Sequence, residues 1–259
     1  MLFKKKRKND DSVRKIVLGD HAPSRIVEGY NRLKDNILFM SADGNNRVIQ
    51  IESALSGEGK TSIACNLAVS LGQTNKKTVV VDLDFRKPKA HMLFGLSKDI
   101  GISEYVLGTA KKEDVVKETK YKNVYLVTGG AKIHNPSLVL TSGIFQELIA
   151  KLKEEFDYVI LDCAPVLQIS DYIHISKVSD GVLFVVAYSQ TTKAQATDAI
   201  KELKKNGIKI LGSVFSMYDK RKEKGYDYKH YYYYSYSSYY YDKIDEDEKQ
   251  EKTETPETK

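Results

Sequence analysis

The stretch "SALSGEGKTSIACNLAVSL", residues 53–71, sets Gly57, Gly59, Lys60 and Thr61 in a turn between an apolar run and a helical pattern. Small residues in such a turn let backbone N–H groups curl round phosphate oxygens, and the start of the next helix adds partial positive charge. Lys60 is placed to reach β- and γ-phosphates and Thr61 Oγ to ligate Mg²⁺, while Ser56, Gly57, Glu58, Gly59 and Ser62 complete the cradle. The pattern is that of a P-loop, G-x-x-x-x-G-K-[ST], with Ala54 where the first glycine belongs. Alanine is tolerated there if its φ is negative. ATP with Mg²⁺ is the expected cofactor pair.

Two further segments carry carboxylates. In "TVVVDLDFRKP", residues 78–88, Asp82 and Asp84 flank one residue at the end of an apolar run, so both side chains point to one side of the pleat, and Arg86 follows as a candidate phosphate-facing cation. In "YVILDCAP", residues 158–165, Asp162 ends an apolar run where a carboxylate holds Mg²⁺ directly or through water. A single Asp at a strand end serves equally well as a helix cap. Three of them downstream of a P-loop read as one site.

These residues need a scaffold that gathers them. Apolar stretches of strand length, "RVIQIES", "TVVVDLD", "NVYLVTG", "YVILDCA", "GVLFVVA" and "IKILGSVFS", alternate with helix-length segments, which predicts α/β architecture. Several of the strands are apolar on both faces, so helices must cover both sides of a doubly wound, mostly parallel sheet. Ligands in such sheets bind beyond the carboxyl ends of the strands, where the three motifs fall. A first helix, capped by Ser24, shows Ile26, Tyr30, Leu33, Ile37 and Met40 on one face.

The 259 residues suit one such domain, residues 23–218, between a basic flexible arm, 1–22, and a flexible tail, 219–259. Cys65 and Cys163 follow no metal or disulfide spacing, which fits a reducing compartment, the cytoplasm. No apolar run approaches the roughly 20 residues that span a bilayer. The net charge of +6 is unevenly spread, with "KKKRK" at Lys4 to Lys8 and an acidic end after Tyr241. The basic run suits anionic lipid, nucleic acid or, most simply, a solvated terminus, and nucleic acid is not an expected partner.

The tail gathers Tyr226, Tyr228, Tyr231, Tyr232, Tyr233, Tyr234, Tyr236, Tyr239, Tyr240 and Tyr241 without a period of two or 3.6. Tyrosines so arranged are exposed. Composition alone admits a stacking, adhesive low-complexity segment.

With "GEGKT", "VVVDLDFRKP", "YVILDCAP" and a terminal tyrosine cluster in that order, the chain resembles the bacterial tyrosine kinases of capsular and exopolysaccharide synthesis, in their free-standing Gram-positive form. The likeness runs from about Arg25 to Tyr241. It implies a P-loop NTPase fold, autophosphorylation of the tyrosine tail in trans, and action on other tyrosine-containing proteins. It also implies a transmembrane polysaccharide co-polymerase adaptor whose cytoplasmic end activates the kinase and recruits it to the inner face of the membrane, and ring-like homo-oligomers. Carried over by position, Lys60 and Thr61 hold the β/γ-phosphates and Mg²⁺, Asp82 accepts the tyrosine proton, Asp84 supports the metal, and Asp162 orients a metal-bound water. The family's E-x-x-R-x-x-R pattern appears as "EGYNRLK", with Glu28 but Asn31 and Lys34 for the arginines, and its N-P-S-E-L segment as "NPSLVL", with Leu138 for the glutamate.

Two rival readings stand beside this one. A ParA/MinD-type ATPase switch resembles K-G-G-x-G-K-[ST], whose first lysine position is Leu55 here. A non-catalytic ATP-binding scaffold would use the same motifs without transfer.

Overall fold

The computed structural model of the protein describes residues 16–18, 22–188 and 190–218; the Lys4 to Lys8 run and the tyrosines from Tyr226 onward lie outside the described residues. The chain runs through α1 (Ser24–Met40), β1 (Val48–Ser53), α2 (Lys60–Gln73), β2 (Thr78–Asp82), α3 (Ala90–Phe94), α4 (Ile102–Val106) and α5 (Lys112–Val115). It continues through β3 (Val116–Glu118), β4 (Val124–Val127), α6 (Pro136–Leu140), α7 (Gly143–Glu155), β5 (Tyr158–Asp162), α8 (Asp171–Ile175), β6 (Gly181–Ala187), α9 (Lys193–Lys205) and β7 (Ile210–Ser216).

The strands form one seven-stranded sheet in the order β3-β4-β2-β5-β1-β6-β7. All pairings are parallel except β3 with β4. Every residue of β1, β2 and β5 is buried, as expected of strands covered on both faces. Alternate side chains serve opposite layers. Ile49, Ile51, Val80 and Ile160 pack with Leu67 and Leu71 of α2 and with α1, whereas Val48, Val79, Val81 and Val159 pack with Phe145, Leu148 and Leu152 of α7. Val182 and Phe184 of β6 meet Ala199 and Leu203 of α9. The doubly wound α/β fold expected from the alternation of apolar runs is the fold observed.

Three details differ from expectation. Pro23, with φ −59° and ψ 129°, holds the capping position of α1, and Ser24 is the first helical residue rather than the cap. Strand β3 was not foreseen: "VKE" has one apolar residue and little burial, which suffices for a short edge strand and is not enough to be read. Finally, Ile16 and Leu18, placed by the sequence in a flexible arm, pack on the α1/α2 layer, with Leu18 buried and Val17 N–H donating to Asn66 Oδ1 at 2.8 Å. A run of three apolar residues, Ile16, Val17 and Leu18, is too short to show a periodicity, so this docking had no sequence signal.

The topology positions the site. Strand β5 lies between β1 and β2, with Asp162 in register with both Ile51 and Asp82. The carboxyl ends bearing the P-loop, the Asp82/Asp84 pair and Asp162 therefore stand side by side.

Candidate active site

The P-loop leaves β1 at Ser53 and enters α2 at Lys60. Gly57 and Gly59 both have φ of +89°, a left-handed conformation that glycine adopts without a Cβ penalty. Ala54 is fully buried and keeps a negative φ, the condition under which alanine can replace the first glycine. Lys60 is almost wholly buried and its Nζ donates to Ser53 Oγ at 3.0 Å, which draws the ammonium back across the mouth of the loop. Ser56 and Gly57 are exposed at the tip; Thr61 and Ser62 form the first turn of α2. The Glu58 side chain turns away from the tip: Oε2 accepts from Leu55 N–H at 2.8 Å and Oε1 from the Thr191 hydroxyl.

Asp162 is buried, and neither of its carboxylate oxygens has a hydrogen-bond partner. Burial lifts its carboxyl to about 6; the Asp84 charge adds to this, while the Thr61 hydroxyl, short of hydrogen-bond geometry, and the Lys60 ammonium oppose it. An orphaned buried carboxylate next to a P-loop threonine has the donor chemistry of a hard-cation site. Among the described residues no cluster of three or more His, Cys, Asp or Glu side chains could hold a metal ion by itself.

Asp82 is fully buried, and its carboxylate organises the loop that follows it. Oδ2 accepts from Lys89 N–H at 3.0 Å and Ala90 N–H at 3.1 Å, and Oδ1 from Asp84 N–H at 3.3 Å. Burial, then the Asp162 charge, pushes the Asp82 carboxyl well above the usual range against the pull of these N–H groups. Asp84 is only partly buried and accepts from Lys87 N–H at 3.0 Å. Arg86 does not stand free as a cation: Nη1 meets Asp171 Oδ2 at 2.5 Å. Asp171, 2% exposed at the start of α8, thereby ties the β2 loop to the segment beyond Asp162.

Lys60, Thr61, Asp82, Asp84 and Asp162 thus come from adjoining strand ends, while Arg86 is engaged by a residue absent from the sequence reading. Glu52 was missed as well. It is fully buried in β1, with Oε1 accepting from Gln50 Nε2 at 2.7 Å and Oε2 unpartnered. Burial pushes its carboxyl to about 8, opposed by Gln50 and Lys60. The signal for Glu52 was present, a charge inside a mostly apolar strand leading to the P-loop. Asp171, Thr191 and Ser216 had none, because their partners are far away in sequence. The ten tail tyrosines lie outside the described residues.

Comparison with known proteins bears on this geometry. Residues 46–211 match the family model described as AAA domain. Tyrosine-protein kinase YwqD of Bacillus subtilis (strain 168) is 33% identical over 227 residues, covering 87% of this chain and 95% of that protein. The structure of the chimerical protein CapA2B2 superposes with a TM-score of 0.75 at 31% identity, over 79% of this chain and 90% of that one. The septum site-determining protein MinD of Pyrococcus horikoshii OT3, solved with Mg-ADP, superposes with a TM-score of 0.59 at 27% identity, over 71% of this chain and 75% of that one. The nucleotide motifs, the strand order that gathers them and the extent of these matches agree, and the chain belongs to the AAA-domain family and, within it, to the bacterial tyrosine kinases.

Proposed function

We propose that the protein transfers the γ-phosphoryl group of ATP to tyrosines among Tyr226–Tyr241 of a neighbouring copy. Through this cycle it would regulate capsular or exopolysaccharide synthesis and chain length. The observation that carries the reading is Asp162, a buried carboxylate with both oxygens unpartnered, in register with Asp82 and beside the Lys60/Thr61 turn.

In the reaction the tyrosine oxygen forms a bond to the γ-phosphorus, the bond from that phosphorus to the β,γ-bridging oxygen breaks, and ADP leaves. A phenol with pKa near 10 is a weak nucleophile at neutral pH, so its proton needs an acceptor. Asp82 takes that role, its carboxylate oriented by three backbone N–H groups and its basicity raised by burial. Lys60 leaves Ser53 Oγ to meet the β/γ-phosphates, and the N–H groups of residues 57–62 cradle them. Thr61, Asp84 and Asp162 would hold Mg²⁺, which would supply charge neutralisation at the phosphate oxygens. Arg86 acts through Asp171 as a brace on the Asp82–Ala90 loop.

The reading includes a transmembrane polysaccharide co-polymerase adaptor whose cytoplasmic end activates the kinase and holds it at the inner face of the membrane. Among the described residues no helix is long and apolar enough to cross a membrane. It also includes ring-like self-association. Glu28 of the α1 motif pairs with Arg32 of its own helix at 2.9 Å and Lys34 with Asp35 at 3.3 Å, so the ring would rest on different contacts from an arginine-based one.

The test is incubation of the purified chain with ATP, Mg²⁺ and candidate adaptor peptides, followed by detection of phosphotyrosine. Signal that disappears in Lys60→Met and Asp162→Asn supports the reading. ATP hydrolysis without phosphotyrosine under every peptide would favour a MinD-type switch, and nucleotide binding without hydrolysis a scaffold.

A further inference from the structure

The P-loop has a far side that the phosphate-binding role leaves unused. Glu58 is 3% exposed and makes polar contacts that reach three segments. Its Oε2 accepts from Leu55 N–H at 2.8 Å, which closes the loop on itself. Its Oε1 accepts from Thr191 Oγ1, which in turn accepts from Ala187 N–H at 3.0 Å, at the end of β6. Its backbone carbonyl accepts from Ser216 Oγ at 2.6 Å, the last residue of β7.

Packing repeats the message. A Cβ at Gly59 would lie 3.4 Å from Ser216 Cβ and 3.7 Å from Met217 Cε, so the loop backbone rests against the end of β7. Ser216 O accepts from Tyr188 N–H at 2.9 Å, and the Tyr188 and Tyr218 rings meet edge to face at 5.1 Å. Among the described residues strand β7 lies at one edge of the sheet, paired with β6, and the tyrosine-rich segment follows it in sequence. The loop that receives the nucleotide is thus fastened, through one buried carboxylate and one carbonyl, to the strand from which that segment departs.

We infer that Glu58, Thr191 and Ser216 are positioning residues that hold the P-loop in its phosphate-binding curvature, so that nucleotide affinity and order at the end of β7 are linked. The inference rests on the reading of residues 53–62 as the nucleotide site. Linkage is reciprocal: whatever bound nucleotide gains from a fastened β7, the end of β7 gains from bound nucleotide.

The experiment uses the full chain with ADP and Mg²⁺ as the probe, read by titration calorimetry, in wild type, Thr191→Val, Thr191→Ser and Ser216→Ala. Loss of one hydrogen bond that sets the loop should raise Kd about three- to tenfold in Thr191→Val and Ser216→Ala, with Thr191→Ser, which keeps the hydroxyl, close to wild type. A purely structural role would lower the unfolding temperature without moving Kd. If Thr191→Val fails to fold, Ser216→Ala decides, supported by hydrogen exchange of residues 214–218, which MgADP should slow in wild type and not in Ser216→Ala. Unchanged Kd in the folded variants, or exchange at the end of β7 indifferent to MgADP, would overturn the inference. ADP binding involves no transfer, so absence of phosphotyrosine would sink the proposed reaction and leave this result standing.

Discussion

At the scale of single residues, the site is a set of charges held where water is scarce. Lys60→Met removes the cation proposed to face the β/γ-phosphates and Asp82→Asn the proposed proton acceptor; each should lower tyrosine phosphorylation by about 10²- to 10⁴-fold, measured as initial rates with unfolding temperature as control. Asp84→Asn, at a partly buried position, should cost less than Asp82→Asn. Reversed losses would exchange the roles of the two carboxylates, and equal losses would contradict the division between them. Buried Glu52 and Asp162 also make a pH prediction. Their folded pKa values, about 8 and about 6, lie above the unfolded carboxylate values, so the native state binds more protons between roughly pH 4 and these values. Their contribution to stability is therefore fully present at low pH and is lost as pH rises through about 6 for Asp162 and about 8 for Glu52. Glu52→Gln should flatten the upper part of that decline in denaturant titrations of the nucleotide-free protein, whereas an unchanged slope between pH 6 and 8 would refute the assignment. At this scale the sequence was most legible in placing residues, because Lys60, Thr61, Asp82, Asp84 and Asp162 sit in short runs at the ends of strands that the fold sets side by side. It was least legible where a side chain meets a distant partner: the runs gave Arg86 to the phosphates and Glu58 to the nucleotide cradle, and only the fold brings Asp171 and Thr191 against them.

At the scale of elements, periodicity and composition defined what was buried on two faces. Of the three central strands, β2 and β5 are apolar runs ending in an aspartate, and β1 is apolar apart from Gln50 and Glu52 before it ends at Ser53. Weak elements escaped notice: β3 is three residues of mixed polarity, and the α1 cap falls to Pro23 because the proline's fixed φ already suits the turn into the helix. Close approach of backbone to backbone is another feature that strings of residues hide. Gly101, just before α4, has an extended φ of −165°, and a Cβ there would sit 2.2 Å from Thr128 O and 2.5 Å from Gly130 N. Gly101→Ala should therefore destabilise by about 2–3 kcal/mol through overpacking against backbone that cannot swing aside. Urea unfolding would show this as a lower midpoint at unchanged slope, and a midpoint equal to wild type would show that the turn can open.

At the scale of the whole molecule, the sheet delivers two things to one edge: the nucleotide loop and, through β7, the start of the segment that carries the tyrosines. Each phosphate on that segment adds about −1.5 to −2 charge next to an acidic end, so heavily phosphorylated copies repel one another. Sedimentation after full phosphorylation should report a smaller assembly than before; identical sizes would remove charge repulsion as the basis of a cycle. The central claim is transfer from the nucleotide site of one copy to the tyrosines of another. Its most direct measurement mixes full-length Lys60→Met, which keeps the tyrosines and lacks the phosphate-facing cation, with chain truncated after Tyr218, which keeps Lys60 and lacks them. After addition of ATP, Mg²⁺ and an activating adaptor peptide, mass spectrometry should find phosphotyrosine among Tyr226–Tyr241 of the Lys60→Met chain. No phosphate on that chain, while the wild-type protein alone is phosphorylated under the same conditions, would contradict it.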